Sequence, residues 1–307
     1  QKQSIRQQKP TNKSRFKSMT DKVQNLITRA ITGALFVTIM VVGFFNPRAM
    51  VALFAFITGM SVWEYTGLVN QREDIKVNRF ISTIAGVYFF IAVAAFRIGI
   101  ATNFVIFVPY LLTVVYLFIS ELYLKQKDPI NDWAYTMLGQ MYIALPFSMI
   151  NILGFEVSAN GNNISYNMLI PLCVFIFLWL NDTGAYCSGT LFGKHKLFPR
   201  ISPGKSWEGS IGGGILVMIV AGVIGYLTNE NSAATSQLSI IGWIGLGLTV
   251  VVFGTLGDLV ESLFKRTLDI KDSGNILPGH GGMLDRFDSS LMAIPAAVIY
   301  LYTIQIF

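Results

Sequence analysis

Four polar side chains follow one another at helical spacing near residue 260. Asp258, Glu261, Ser262 and Lys265 occupy positions i, i+3, i+4 and i+7, so a helix places all four on one face. Such a stripe is often the solvated, salt-bridged face of a helix leaving the membrane. Here Asp258 follows an uninterrupted apolar run, where a solvated carboxylate is less expected, so the stripe is a candidate site.

A second acidic pair, Asp285 and Asp288, begins the last apolar segment and also shares a helix face. Between the two groups lies a glycine-rich turn, 277–282, whose glycines permit positive φ and close approach of backbone N–H groups to a phosphate. Carboxylates on two facing helices suit Mg²⁺, which completes its coordination with water and substrate phosphates. Nearby cations would neutralise those phosphates: Lys265, Arg266 and Arg286. The residues predict metal-assisted phosphate chemistry.

Two further segments are ambiguous by themselves. Residues 202–209 contain Gly-Lys-Ser, but Pro199 occupies the position of a P-loop's first glycine and no buried strand precedes it. The segment is therefore either a basic loop that contacts a nucleotide or lipid phosphate, or a helix cap. Asp182, which we expect to close an apolar run, is either a helix-packing hydrogen-bond partner or a site residue.

The composition indicates the environment that positions these residues. Hydrophobic residues make up 53% of the 307 residues, charged residues 13%, and the mean hydropathy is +0.55. This excludes a disordered chain and argues against a soluble globule. The two cysteines, Cys173 and Cys187, are too far apart on one helix to form a disulfide. We expect an all-α, polytopic integral membrane protein.

Nine apolar segments are long enough to cross a bilayer. A polar, basic tail, residues 1–29, ends in an interfacial stretch and precedes them. Spans 1 to 5 form an N-terminal transmembrane region, 30–165, and spans 6 to 9 with their loops form a catalytic region, 166–307. Glycines that open spans 7 and 8 are expected to let helices approach closely. The predicted spans are 30–46, 48–68, 80–96, 103–124, 133–154, 166–188, 209–228, 239–259 and 287–307.

Lysine and arginine predict the orientation. With a cytoplasmic N-terminus, 21 of the 23 lie on the cytoplasmic side, and only Arg48 and Arg97 lie on the other. The net charge of +6 then belongs to the cytoplasmic face, where it suits anionic lipid and phosphate. A nucleic-acid partner is not expected. Eight of the 17 acidic residues fall at the same face: Asp182, Glu208, Asp258, Glu261, Asp269, Asp272, Asp285 and Asp288.

These motifs resemble a known family. Residues 262–266, 271–272 and 278–288 are similar to the signature of the phosphatidate cytidylyltransferases, or CDP-diacylglycerol synthases. Segments 182–186 and 202–209 look like that family's upstream blocks, and Trp63-Glu64 is a weaker match. The strong resemblance covers about 180–290, whereas the first five spans match mainly in hydropathy.

The resemblance implies transfer of the cytidylyl group of CTP to phosphatidate, giving CDP-diacylglycerol and pyrophosphate. It implies Mg²⁺, with a second cation left open, held by Asp258 and Asp285 and lined by Ser262, Lys265 and Asp288. It further implies substrate contacts from Asp182, Lys205, Ser206, Glu208, Arg266, Lys271, His280, Gly281, Gly282 and Arg286. CTP, phosphatidate and membrane lipid are the expected partners, a homodimer is left open, and a bacterial inner membrane with a cytoplasmic active site is the expected location.

Two alternatives differ in their products or class. A CTP-dependent polyprenol or phytol kinase would transfer the γ-phosphoryl group and release CDP. A transporter of anionic metabolites would place its charges near the bilayer midplane, often across inverted repeats. The clustering of charge at one face, and the lack of a visible repeat in the sequence, argue against the transporter.

The topology prediction is testable by cysteine labelling. A single cysteine at Ser158→Cys, in a background without Cys173 and Cys187, should react with an impermeant maleimide added to intact cells, because the N-in, C-out orientation puts this loop outside. Cysteine at Lys125→Cys, in the loop after span 4, is the inside control. Labelling of the Ser158 site only after permeabilisation would contradict the orientation.

Overall fold

The fold is almost entirely helical, in a computed structural model that describes residues 27, 30–157, 164–230, 238–274, 281–304 and 306. The all-α class is confirmed, and the described residues contain two short hairpins, β1 to β2 (Phe155–Val157, Ile164–Tyr166) and β3 to β4 (Lys196–Phe198, Ser202–Ser206). The helices are α1 Ala30–Phe44, α2 Pro47–Val69, α3 Arg79–Arg97, α4 Val108–Leu124, α5 Pro129–Gly154, α6 Leu169–Phe192, α7 Trp207–Glu230, α8 Ile240–Thr267 and α9 Leu284–Thr303.

Seven of these helices, α2 to α8, are long and apolar enough to cross a membrane, which makes the chain a multi-pass membrane protein. The other two predicted spans coincide with α1, which is shorter, and with α9, which carries three charged residues in its first turns. Residues 1–26 and most of the predicted interfacial stretch lie outside the described residues. The count of nine spans and the cytoplasmic N-terminus remain predictions.

The helix ends differ from the predicted boundaries at two places that matter for the site. Helix α6 continues to Phe192, so Asp182 lies well inside it and does not close it as expected. Helix α8 continues two turns past residue 259, which confirms that Asp258, Glu261 and Lys265 share one helix. In both helices the apolar pattern ends before the helical hydrogen bonding ends. The last turns are polar but remain helical because they continue a helix that packs against its neighbours.

An aromatic cluster fixes the start of α9. Phe287 is buried and its ring lies 5.6 Å from those of Phe36 and Phe147, and 6.1 Å from that of Phe175. Phe54 of α2 joins the cluster at 6.4 Å. Edge-to-face packing of this kind adds to the apolar area that each ring buries. Because Phe287 lies between Asp285 and Asp288, the cluster also fixes where those carboxylates emerge.

Glycines bring α6 and α7 into backbone contact, as the sequence predicts. A Cβ added to Gly184 would lie 2.9 Å from the Cα of Gly213, and one added to Gly213 would lie 2.6 Å from the carbonyl oxygen of Asn181. A side chain at either position would force the helices apart. Their close approach carries Asp182 on α6 towards the polar residues that precede α7.

We expect the glycine crossing to be more sensitive than the next residue along the helix. Gly213→Ala should destabilise the protein by about 1–3 kcal/mol, because the added methyl overlaps backbone that cannot move freely. Gly214→Ala is the control, since its Cβ would meet only Val251 Cγ1 at 3.5 Å and alanine favours a helix. Thermal unfolding in detergent measures both, and equal melting temperatures would contradict the assigned crossing.

Candidate functional site

Lys265 is the centre of the polar end of the helix bundle. Its Nζ lies 2.5 Å from Oε2 of Glu261, one turn earlier on α8, and 2.8 Å from Oδ1 of Asp285 on α9. Glu261 is fully buried, and its other carboxylate oxygen has no hydrogen-bond partner among the described residues. One ammonium group therefore compensates two carboxylates and joins α8 to α9.

Asp285 is held by more than this lysine. Its Oδ2 accepts the backbone N–H groups of Ser273 and Gly282, each at 2.8 Å. The carboxylate thus connects two parts of the α8–α9 loop, at Ser273 and at Gly282, to the first turn of α9. Hydrogen bonds from N–H groups to a charged acceptor are strong, so Asp285 holds the backbone of the loop at both Ser273 and Gly282.

Glu64, near the end of α2, supports the same loop from the N-terminal region. It is 7% exposed, Met283 N–H donates to its Oε2 at 2.7 Å, and the Ser273 hydroxyl donates to its Oε1. Gly282 must be glycine here, because a Cβ at that position would overlap the Glu64 carboxylate. Gly281 has a φ of +82°, which also favours glycine. Gly281 and Gly282, the described end of the predicted glycine-rich turn, therefore pack against the carboxylates of Asp285 and Glu64.

A second charged group lies beside the first. Lys205 Nζ is 2.6 Å from Oδ2 of Asp258, and the Ser262 hydroxyl donates to Oδ1 of Asp258 at 3.2 Å. Lys205 comes from β4, which precedes α7, so this ion pair brings the Gly-Lys-Ser segment onto the α8 stripe. Asp258 and Lys205 are each about a quarter exposed. The pair borders an open site and is not sealed in the core.

A cavity of about 410 Å³ adjoins this ion pair between α6, α7 and α8. Asp182 of α6 lines it and is solvent-exposed, while Asp182 and Asp288 both lie near enough to Asp258 to interact with its charge. The lining also includes Asn181, Tyr186, Gly204, Lys205, Ser206 and Thr255. The structure therefore brings together Asp182, Lys205 and Asp258, which lie far apart in the sequence.

The donor set fits a divalent cation only in part. Asp182 and Asp288 add negative charge beside the Lys205–Asp258 ion pair, and Arg286 and Lys265 offset part of it. Carboxylate oxygens are ligands that Mg²⁺ prefers. Within the described part of the chain, no three His, Cys, Asp or Glu side chains converge on one point. A cation would therefore depend on water and substrate oxygens.

Asp258 and Asp285, predicted together as metal ligands, contact different lysines. Both oxygens of Asp285 have partners. Its Oδ2 accepts two backbone N–H groups, and in the described part of the chain its Oδ1 bonds to Lys265 Nζ alone. Asp258 is about a quarter exposed, and its partner Lys205 lines the cavity. Whether the two carboxylates share a cation remains a prediction.

The other predicted contacts fall into three groups. Ser206 is buried and its hydroxyl accepts the Gly209 N–H, so part of this segment caps α7. Glu208 accepts N–H groups of the β3–β4 hairpin and contacts His195 Nδ1 at 2.6 Å, so its substrate role remains a prediction. Arg266, Lys271 and Arg286 are exposed, and His280 lies outside the described residues.

Sequence reasoning missed Ser273 and Tyr142 and gave Glu64 little weight. A glutamate within an apolar span is itself a signal, because an ionisable group there is costly unless it is paired. Ser273 has no comparable signal in the sequence. Tyr142 is 8% exposed and its hydroxyl has no hydrogen-bond partner among the described residues. It interacts with the charges of Asp258, Glu261 and Asp288, although it belongs to the N-terminal region.

Comparison with known proteins agrees with the signature. A model of the cytidylyltransferase family matches residues 24–304. The phosphatidate cytidylyltransferase of Haemophilus influenzae is 32% identical over 265 residues, which cover 82% of this chain and 89% of the relative. Proteins of the same name from Staphylococcus aureus and Staphylococcus saprophyticus are 41% identical over 179 and 182 residues. These alignments span 62% and 63% of the staphylococcal proteins.

The Glu64 contacts predict a protease-sensitive variant. Glu64→Ala removes the acceptor of the Ser273 O–H and of the Met283 N–H, at a cost of about 1–3 kcal/mol for each lost hydrogen bond. Tryptic cleavage after the exposed Lys271 should therefore accelerate at least tenfold. Glu156→Ala is the control. It removes a carboxylate on β1 that accepts a hydrogen bond from Asn167 Nδ2 at 2.7 Å and, among the described residues, accepts none from the α8–α9 loop. Equal cleavage rates would contradict the supporting role of Glu64.

Proposed function

Because this chain belongs to the cytidylyltransferase family, we propose that it transfers the cytidylyl group of CTP to phosphatidate and forms CDP-diacylglycerol and pyrophosphate. The observation that carries the proposal is the pairing of Lys205 with Asp258 and of Lys265 with Asp285 at the end of a membrane bundle. Each lysine is positioned to exchange a carboxylate for a phosphate. Such a site suits two anionic reactants, one of which resides in the bilayer.

The reaction requires charge neutralisation and alignment more than proton transfer. A phosphate oxygen of phosphatidate attacks the α-phosphorus of CTP, and the bond from that phosphorus to the oxygen bridging to the β-phosphate breaks. Pyrophosphate leaves with that oxygen. A phosphate monoester is largely ionised near neutral pH, so no general base is assigned. The exposed Arg266, Lys271 and Arg286 are proposed to bind the triphosphate.

We propose Mg²⁺ as the cofactor, with Asp258 and Asp285 as its protein ligands and a second cation left open. Mg²⁺ supplies charge neutralisation at the phosphate oxygens. Lys265 governs whether Asp285 is available, since Oδ1 is released when the ammonium turns to a phosphate. Ser262 orients Asp258 through its hydroxyl, and Asp288 and Asp182 contribute negative charge beside it.

We propose the bacterial inner membrane as the location, with the site at the cytoplasmic face. The distribution of lysine and arginine supports this side, and CTP is a water-soluble substrate. Light scattering of the detergent-solubilised protein would distinguish a monomer from a homodimer.

One assay tests the proposed reaction. Purified protein is incubated with Mg²⁺, either α-³²P-CTP or γ-³²P-CTP, and either phosphatidate or a polyprenol as the lipid acceptor. The proposal expects α-label in the lipid phase and γ-label in pyrophosphate. Lipid-soluble γ-label with release of CDP would instead indicate a kinase. Absence of both, together with CTP-independent uptake of an anion into proteoliposomes, would favour the transporter.

Neutralising either predicted metal ligand should stop the reaction. We expect Asp258→Asn and Asp285→Asn each to lower turnover at least a thousandfold while the protein stays folded, because the amide loses the charge that binds the cation. Asp128→Asn is the matched control, since this residue caps α5 and asparagine caps a helix equally well. Near-normal turnover of either site variant at saturating Mg²⁺ would refute the assignment.

A further inference from the structure

A second cavity, of about 280 Å³, lies on a different face of α8 from the charged stripe. Val260, Leu263, Phe264 and Thr267 form its α8 wall at positions i, i+3, i+4 and i+7. Relative to the stripe of Asp258, Glu261, Ser262 and Lys265, this wall is offset by two residues, which is about 160° around the helix. The same two turns of helix therefore present charge on one side and apolar surface on the other, and Phe264 and Lys265 are sequence neighbours at the boundary.

The opposite wall is aromatic and comes from α2 and α5. It contains Tyr65, Tyr135, Leu138 and Tyr142. Tyr65 stacks on Phe264 with ring centroids 5.4 Å apart, and its hydroxyl donates to the Tyr135 carbonyl at 3.1 Å. That hydroxyl is therefore satisfied within the protein. The cavity walls are mainly apolar and aromatic, and the hydroxyls of Tyr65 and Thr267 already donate to backbone carbonyls.

Tyr142 is unusual in two independent respects. It lies within the π-helical turn Gln140–Ala144 that interrupts α5, a distortion that often marks functional sites. Its hydroxyl is buried and unpartnered in the described residues, which costs free energy unless a ligand supplies the missing hydrogen bond. It also interacts with the charges of Glu261, Asp258 and Asp288. Tyr142 thus lies between the aromatic cavity and the charged group.

The surroundings of the cavity identify the class of ligand. Leu138, Val260 and Leu263 are 41–44% exposed at its walls, on helices long and apolar enough to cross a bilayer, so the cavity can open towards lipid. A ligand with an apolar part in the cavity and an anionic part beside Lys265 would satisfy both faces of α8. The volume is below the roughly 300–1,000 Å³ typical of pockets that enclose a drug-sized ligand. It suits a glycerol ester and the first methylenes of a chain, with the remainder in the bilayer.

We infer that this aromatic cavity is the docking site for the diacylglycerol part of the lipid substrate, with the Tyr142 hydroxyl donating a hydrogen bond to it. The inference rests on the proposed function, and it adds where the lipid lies and which residue outside the catalytic region contacts it. Phosphatidate enters sideways between α5 and α8, and its phosphate comes to lie beside Lys265.

Kinetics of two variants test the inference. Tyr142→Phe should raise the KM for phosphatidate about tenfold and leave the KM for CTP unchanged, because the lost hydrogen bond belongs to the lipid. Leu138→Trp, which narrows the mouth, should raise the KM for dioleoyl phosphatidate more than that for a dihexanoyl analogue. Tyr300→Phe is the control, since it removes a buried hydroxyl that bonds the Gly242 carbonyl at 3.0 Å.

Other kinetic outcomes would overturn the inference. A raised KM for CTP would make the cavity a nucleotide site. A lower kcat with an unchanged KM for phosphatidate would mean that Tyr142 supports Glu261 and Lys265 structurally. Unchanged kinetics in both variants would exclude the cavity altogether.

A binding measurement separates this inference from the proposed reaction. Wild-type protein is photolysed without CTP in the presence of phosphatidate that carries a diazirine early in one acyl chain. The inference expects crosslinks on α8 at 260–268 and on α5 at 135–142, competed by unlabelled phosphatidate but not by phosphatidylethanolamine. Crosslinks spread over the lipid-facing helices would overturn it. Because it uses wild-type protein without CTP, this measurement tests the inference even if a variant misfolds or no cytidylyl transfer is observed.

Discussion

A single ammonium group between two carboxylates holds the polar end of this membrane bundle together. Glu261 is fully buried, and a buried carboxylate without a cation would destabilise the fold by several kcal/mol. Lys265 compensates it and at the same time fixes Asp285, the residue that organises the α8–α9 loop. The loop in turn packs on Glu64 of α2. A network of charges thus connects the N-terminal spans to the region that carries the family signature.

The sequence predicted those parts of the site that are local in the chain. Asp258, Glu261 and Lys265 share a helix face because their spacing alone determines it, and the apolar segments followed from hydropathy. Glu64 and Ser273 are separated by 209 positions, so their contact depends on how α2 packs against the loop. Tyr142 lies in a π-helical turn, which has no hydropathy signature. Tertiary packing decides both, and a single sequence does not encode it in any local pattern.

The predicted pairing of Asp258 with Asp285 illustrates the same limit. Both carboxylates lie on facing helices, as predicted, although α8 continues more than two turns past Asp258, and each carboxylate is bonded to its own lysine. Lys205 reaches Asp258 from strand β4, and the contact of Glu208 on α7 with His195 joins the start of the β3–β4 hairpin to α7. The sequence identifies the charged side chains of such a site. Which lysine pairs with which carboxylate depends on where the tertiary fold places Lys205.

The Lys205–Asp258 ion pair makes anion and cation binding interdependent. A phosphate that takes Lys205 leaves Asp258 uncompensated, and a cation that takes Asp258 leaves Lys205 free for an anion. Linkage requires that the two effects be equal, so each ligand strengthens the other's binding by the same factor. Within the ion pair itself the two charges cancel, so an ion that binds one half must displace the other half. A nucleotide that arrives together with its cation meets no such penalty, because it replaces both halves of the pair in one event.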